Sequence, residues 1–437
     1  MDWATLKQAL RSSDLRRRIG FVLFILVLFR VLSYVPVPVP DNAALSSFLN
    51  NLFNSSQLLG FADLFSGGSL SNFSIIMMGL GPYINASIIV QLMTRVIPQL
   101  EALSKEGEAG RRKINQYTRL LTLPLAVVQS IAMVILIQKT SVQIANTDLI
   151  GNPSIFDWFL MVITMTAGTM LLMWMGELIT ERGVGNGISL IIVAGIVASI
   201  PANIIQNYSL VVNDTGKLLQ TLAIAAGALA VTYIIVQLNE GHRSIPVSYA
   251  RRIRGNRVFS GVDTYMPIKL ITAGVIPIIF ALAFLAVPPF LGQLLSGAST
   301  AWVSAFGTWL TTTFAATSIW YAGSYFFLVV GFTYFYTSII FNSTEIAENM
   351  QKNGGFIPGI RPGTETAAYL KKVINRLTLF GAIALGLIAI MPFIVERFTG
   401  TTSLTIGGTS LLIIVAVALE TMKQIRSRVI QISYDNY

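Results

Sequence analysis

Long apolar runs separated by short polar connections organise this chain from residue 20 onward. They fall near 20–37, 75–93, 120–138, 158–178, 187–206, 219–238, 268–290, 319–341, 377–395 and 403–419. A membrane-spanning helix needs about 20 predominantly apolar residues, so the pattern predicts ten spans. One further run is shorter: Phe61 to Phe65 is broken by Ser66, Gly67 and Gly68 before the second long run begins. Irregular backbone at membrane depth survives only where protein or a water-filled cavity covers it, so this piece is expected to fold back into a cavity. The second run is interrupted by Gly79, Gly81 and Pro82 and ends in a basic loop with Arg111, Arg112 and Lys113. Short hydrophobic plug, broken span, basic loop: the succession points to a channel. The first run ends in VPVPVP, Val35 to Pro40, which cannot continue a helix because alternate residues are proline.

Charge orients the spans. Of the 30 lysines and arginines, 26 fall in the amino-terminal arm, the carboxy-terminal tail and alternate connections, whereas the opposite connections hold only Lys139, Lys217 and Arg397. That bias places both termini in the cytoplasm. The basic segments 239–269 and 342–376 must then share a side, so two spans separate them and residues 300–316 form an external, interfacial segment. Ten spans divide as five plus five, with halves at 1–210 and 211–437. Each half crosses an odd number of times, which relates the halves by an axis in the membrane plane and sets the functional path between them.

Composition agrees and excludes much chemistry. The chain of 437 residues is 54% hydrophobic and 11% charged, with a mean hydropathy of +0.68; soluble domains average about 25% charged. There is no cysteine and one histidine, His242, so neither thiolate sites nor a histidine metal cluster is expected. No phosphate loop, HExxH or GxSxG motif occurs. The chain is read as a non-enzyme with no cofactor. Residues 1–20 are polar, with Lys7, Arg11, Arg16, Arg17 and Arg18 forming an orienting arm and no cleavable signal. Arg30 is expected to snorkel to the interface or pair inside the bundle. Glu177, Glu181 and Arg182 are expected to close the tight turn before GVGNG.

Four stretches, FADLFSGGSLSNFSI, KEGEAGRRKINQYTR, ITERGVGNGISLIIVAGIVA and FIPGIRPGTETAAYLKKVINRLTL, resemble the SecY family. The likeness extends through MPIKLITAGVIPIIFA and GGTSLLIIVAVALE and runs from about residue 15 to 435. It implies an all-α, polytopic membrane protein of ten transmembrane helices in two inverted five-helix halves, with a short plug helix. The plug matches residues 61–72, including Phe61, Leu64, Phe65, Ser66, Gly67 and Gly68. The family's apolar pore ring matches Leu80, Ile84, Ile192, Ile196, Ile279 and Ile413. An apolar constriction dewets and blocks ions yet yields around a passing chain without binding it.

The resemblance further implies a lateral gate between spans two and three and spans seven and eight, with Gln129 lining it. Cytoplasmic docking falls to Arg251, Arg252, Arg254, Arg257 and Arg361, in loops at about 239–267 and 342–376. The implied role is a protein-conducting channel in the bacterial plasma membrane, passing unfolded preproteins across it and membrane segments sideways into it. The implied partners are SecE, SecG, the SecA motor ATPase, the ribosome, signal-bearing preproteins and membrane lipid. The alternative is an inverted-repeat secondary transporter. Coupled carriers hold ionisable groups at midplane, whereas here the spans carry only Arg30 and Glu177, both near interfaces.

Overall fold

Each long apolar run gives rise to a helix in the computed structural model. It describes residues 12–39, 45–46, 48–49, 66–145, 154–213, 217–249, 252–254, 257–259, 263–296, 300–315, 318–399 and 408–435. The amino-terminal part holds α1 (Ser13–Leu32), α2 (Gly81–Val96), α3 (Pro98–Lys105), α4 (Glu108–Ala145), α5 (Ile155–Arg182) and α6 (Gly187–Asn213). The carboxy-terminal part holds α7 (Lys217–Glu240), α8 (Ile276–Ser296), α9 (Ala301–Thr313), α10 (Ile319–Ile340), α11 (Ser343–Lys352), α12 (Thr364–Thr399) and α13 (Gly408–Asp435). The ten predicted spans correspond to α1, α2, α4 to α8, α10, α12 and α13. Among the described residues, six of these are long and apolar enough to cross a membrane by length and composition alone: α4, α5, α7, α8, α10 and α12.

Local chemistry sets the boundaries, and three of them shift from the sequence pattern. Helix α1 stops at Leu32 because the Val-Pro repeat beyond it is extended, and that repeat pairs with the stretch after the plug. The Val37 amide donates to the Phe73 carbonyl and the Ile75 amide to the Val35 carbonyl, each at 2.9 Å, around a Pro36–Ser74 bridge. The second apolar run is turns from Ile75 to Leu80 and becomes helical only at Gly81. Pro82 sits in the first turn of α2, where its missing N–H costs nothing. The seventh run begins its helix only at Ile276, since a strand occupies Asp263–Lys269. Helix α5 is fixed at its start by a reciprocal capping box between Ser154 and Asp157.

The connection from α7 to α8 adds strands that the apolar pattern does not announce: β1 (His242–Tyr249), β2 (Arg252–Arg254), β3 (Arg257–Phe259) and β4 (Asp263–Lys269). β1 and β4 pair antiparallel, and β5 (Gly355–Phe356), from the connection between α11 and α12, adds to the other edge of β1. The two basic loops are therefore one unit. Ile245, Val247 and Ile268 of this sheet pack on Leu370, Val373 and Ile374 of α12. Outside the sheet, α9 folds back against α8 where Gly292 and Gly307 meet: a Cβ on either would stand 2.8 Å from the other's carbonyl oxygen. α9 exposes Trp302, Phe306 and Trp309, in keeping with the aromatic belt of a membrane interface.

Three cores hold the membrane part. One joins Val37, Leu70, Phe73 and Met77 to α4 and α5 through Met133, Val134, Met161 and Met165. A second joins α7, α8, α10, α12 and α13 around Tyr321, Tyr325 and Phe393. The third lies between them, drawing α1, α2, α5 and α6 onto Val275 and Ile279 and onto Ile413 and Val417 of α13.

Candidate pore and plug

All six side chains expected in the apolar ring meet in that third core. Leu80, Ile192, Ile196 and Ile413 are buried in it, and Ile84 and Ile279 pack against it half-buried. They come from five places in the chain: the turn before α2, α2 itself, α6, α8 and α13. On α6, Ile192 and Ile196 are four apart and so share one face. Chemically it is a cluster of aliphatic side chains drawn from separate helices.

Of the predicted plug, Phe61, Leu64 and Phe65 lie outside the described residues; Ser66, Gly67 and Gly68 begin the described part. From Ser66 to Leu80 the chain is a succession of turns. Gly67 (φ 72°) and Gly68 (φ 79°) take left-handed backbone, which only glycine adopts without cost. Gly67 rests on α6 between the two ring isoleucines: a Cβ there would stand 3.0 Å from the Gly195 Cα and 3.1 Å from the Phe29 ring. Ser66 lies behind Gly79, whose Cβ would stand 3.7 Å from it. Ser66 accepts from the Leu70 amide at 3.2 Å through its hydroxyl and from the Ser69 hydroxyl at 2.7 Å through its carbonyl, closing the turn on itself.

Arg30 ties this segment down. Its Nη1 donates to the Gly67 carbonyl at 2.6 Å and its Nη2 to the Tyr34 hydroxyl at 2.7 Å, with the guanidinium 4.8 Å from the Tyr34 ring centroid. Sequence alone left this arginine between snorkelling and pairing; it pairs. Glu177 also finds a partner, accepting from Arg119 Nε at 2.5 Å across α4 and α5. The GVGNG turn is held by α13, where Gln424 Oε1 accepts from the Gly185 amide at 3.0 Å.

At the expected lateral gate, α2 and α4 both contact α8. Gln129 is half-buried on α4. Arg95, which the sequence reading did not single out, reaches from α2 to donate to the Ser338 carbonyl on α10 at 2.9 Å. Its only sequence signal was a cation at a helix carboxyl end, where cations are common.

Among the expected docking residues, Arg251 lies outside the described residues. Arg252, Arg254 and Arg257 fall in the β2–β3 hairpin, with Arg254 opposite Arg257 and Arg252 opposite Phe259. Arg361 is exposed in a turn between Gly359 (φ 82°) and Gly363 (φ 101°), its carbonyl accepting from the Thr366 hydroxyl at 2.8 Å.

Residues 74–422 match the SecY family model. The chain is 43% identical to the protein translocase subunit SecY of Mycobacterium tuberculosis (strain ATCC 25618 / H37Rv) and 41% identical to that of Streptomyces scabiei, in each case over 98% of both chains. It is similar in fold to a solved protein-conducting channel, with a TM-score of 0.63 at 18% identity, covering 95% of this chain and 93% of that one. A structure of Sec61 in the canine ribosome-channel complex from the endoplasmic reticulum gives 0.61 at 18% identity over the same shares. At such identities these structures speak to fold alone.

Proposed function

The chain belongs to the SecY family, and from that premise we propose that it is the channel-forming subunit of a bacterial preprotein translocase. It is a multi-pass membrane protein and a protein-conducting channel. In this reading unfolded preproteins pass through the aliphatic ring, and apolar segments leave sideways between α2 and α4 on one side and α8 and α10 on the other. The observation that carries it is the convergence of Leu80, Ile84, Ile192, Ile196, Ile279 and Ile413, with Gly67 seated against the helix that supplies two of them.

The physics suits the task. A ring of flexible aliphatic side chains yields around a polypeptide of any sequence because it offers no hydrogen bonds to lose, and closes behind it by dewetting. Residues 66–68 act as the seal, held by Arg30. The halves 1–210 and 211–437 are taken as inverted repeats that part along the gate. Both termini lie in the cytoplasm of a cell whose plasma membrane holds the channel. Work is supplied by partners, SecA or a translating ribosome, docking on the joined basic loops through Arg251, Arg252, Arg254, Arg257 and Arg361. SecE and SecG complete the complex. An ion-coupled carrier would need an ionisable centre at midplane, whereas the predicted spans carry only Arg30 and Glu177, both near their ends.

The test is protease protection. The chain is reconstituted with SecE and SecG in liposomes, and SecA, ATP and a signal-bearing preprotein are added before digestion from outside. ATP-dependent protection of the preprotein supports the proposal. Loss of protection together with gradient-driven uptake of a small solute would replace it with the carrier.

A further inference from the structure

The first turns of α12 carry two stripes of opposite character. Leu370, Val373 and Ile374 face inward onto the sheet. Lys371, Lys372, Asn375 and Arg376 face outward, exposed, at the three- and four-residue spacing that aligns side chains on one helix face. With Leu379, and with Tyr334 from α10, they line a pocket of about 480 Å³. Among the described residues none of the three cations pairs with a carboxylate.

What lies next along the helix decides what the pocket suits. From Leu377 to Val395 α12 has no charged side chain. Its outward stripe continues as Leu379, Phe380, Ile383, Leu387 and Met391, all exposed, with Phe380 61% and Leu387 53% accessible. In a helix that spans a membrane, such a stripe faces lipid. The cations thus stand where the hydrocarbon surface ends, in an open pocket that the half-exposed Leu379 also lines.

We propose that this pocket binds the phosphate headgroup of an anionic membrane lipid, with its acyl chains lying down the apolar stripe of α12. Lys371, Lys372 and Arg376 neutralise the phosphate, and the Asn375 amide and Tyr334 hydroxyl are its neutral polar partners. A soluble phosphate would use the charged rim alone, whereas a lipid also uses the apolar stripe below it. An RNA backbone would need the cations clear of the hydrocarbon surface. Because the sheet that carries the docking loops packs on the opposite face of the same helix turns, a lipid here steadies their attachment.

The experiment incorporates the full chain in phosphatidylcholine liposomes doped with a photoactivatable phosphatidylglycerol and maps adducts by peptide mass spectrometry. The expected adduct lies on α12 between residues 364 and 394. It is competed by unmodified phosphatidylglycerol, and neither extra phosphatidylcholine nor millimolar inorganic phosphate competes. Each cation removed in the series Lys371→Gln, Lys372→Gln and Arg376→Gln lowers the yield by about fivefold, while the Lys371→Arg, Lys372→Arg pair preserves it. Competition by inorganic phosphate would make this a free-anion site and overturn the proposal. So would an adduct unchanged in the triple glutamine variant, equal competition by phosphatidylcholine, or competition by a ribosomal RNA fragment.

Discussion

Gly67 and Gly195 meet without side chains between them: a Cβ on Gly67 would stand 3.0 Å from the Gly195 Cα. One belongs to the turns before α2 and the other lies on α6 between Ile192 and Ile196. The contact seats a segment of irregular backbone directly on the helix that supplies two of the six side chains proposed for the ring, and it leaves no room for a larger residue at Gly67. Four predictions follow from this arrangement and its supports.

Gly67→Ala adds a methyl group against main chain and forces a side chain into left-handed backbone at φ 72°. The conformation alone costs about 1–2 kcal/mol, so the seated population falls by roughly tenfold. Single-channel recordings of the resting channel should show more frequent openings. Gly68→Ala, with similar backbone but open space around its Cβ, should show a smaller rise.

Arg30→Leu removes the hydrogen bond to the Gly67 carbonyl. A bond from a charged donor contributes about 1.5–3 kcal/mol net, which under the proposed function holds the seal closed. Resting ion leak should rise by at least tenfold, with Arg30→Lys intermediate because it keeps the charge and loses the two-pronged geometry. Equal leak in wild type and Arg30→Leu would show that the bond is incidental to sealing.

Ile192→Gly with Ile196→Gly strips two aliphatic side chains from one face of α6. Water then occupies the constriction, and resting conductance should rise well above that of either single change. The paired alanine substitution serves as a check, since it enlarges the opening without the helix penalty of glycine, about 1 kcal/mol per site. Unchanged conductance in both pairs would remove these two residues from the ring.

Arg119 and Glu177 join α4 to α5, with the carboxylate the more buried of the two. Glu177→Gln leaves Arg119 without its anion, and Arg119→Met strands a carboxylate. Each should destabilise the purified protein by about 1–3 kcal/mol, read as a lower melting temperature in detergent. The double change should cost less than the two singles combined, because neither partner is then left charged and unpaired.

The hydrophobic pattern by itself determined the class and the ten helices. It could do so because lipid forces every spanning segment to satisfy its backbone internally, so helix count is written in the one-dimensional run of apolar residues. The breaks at Ser66 to Gly68 and at Gly79 to Pro82 were legible for the same reason: glycine and proline interrupt a helix wherever they cluster. The six residues proposed for the ring were named through likeness to a family. An isoleucine in a span carries no local mark that separates pore from lipid.

Only the tertiary structure decided that these six converge, that Gly67 rests on Gly195, and that Arg30 bonds a carbonyl 37 residues away. It also decided that two basic loops share one sheet through β1 and β5. Such facts depend on which faces of different helices meet, and that is fixed by packing many side chains at once. A run of apolar residues specifies that a helix will be buried in membrane or protein; which neighbour it meets follows only when all ten helices pack together.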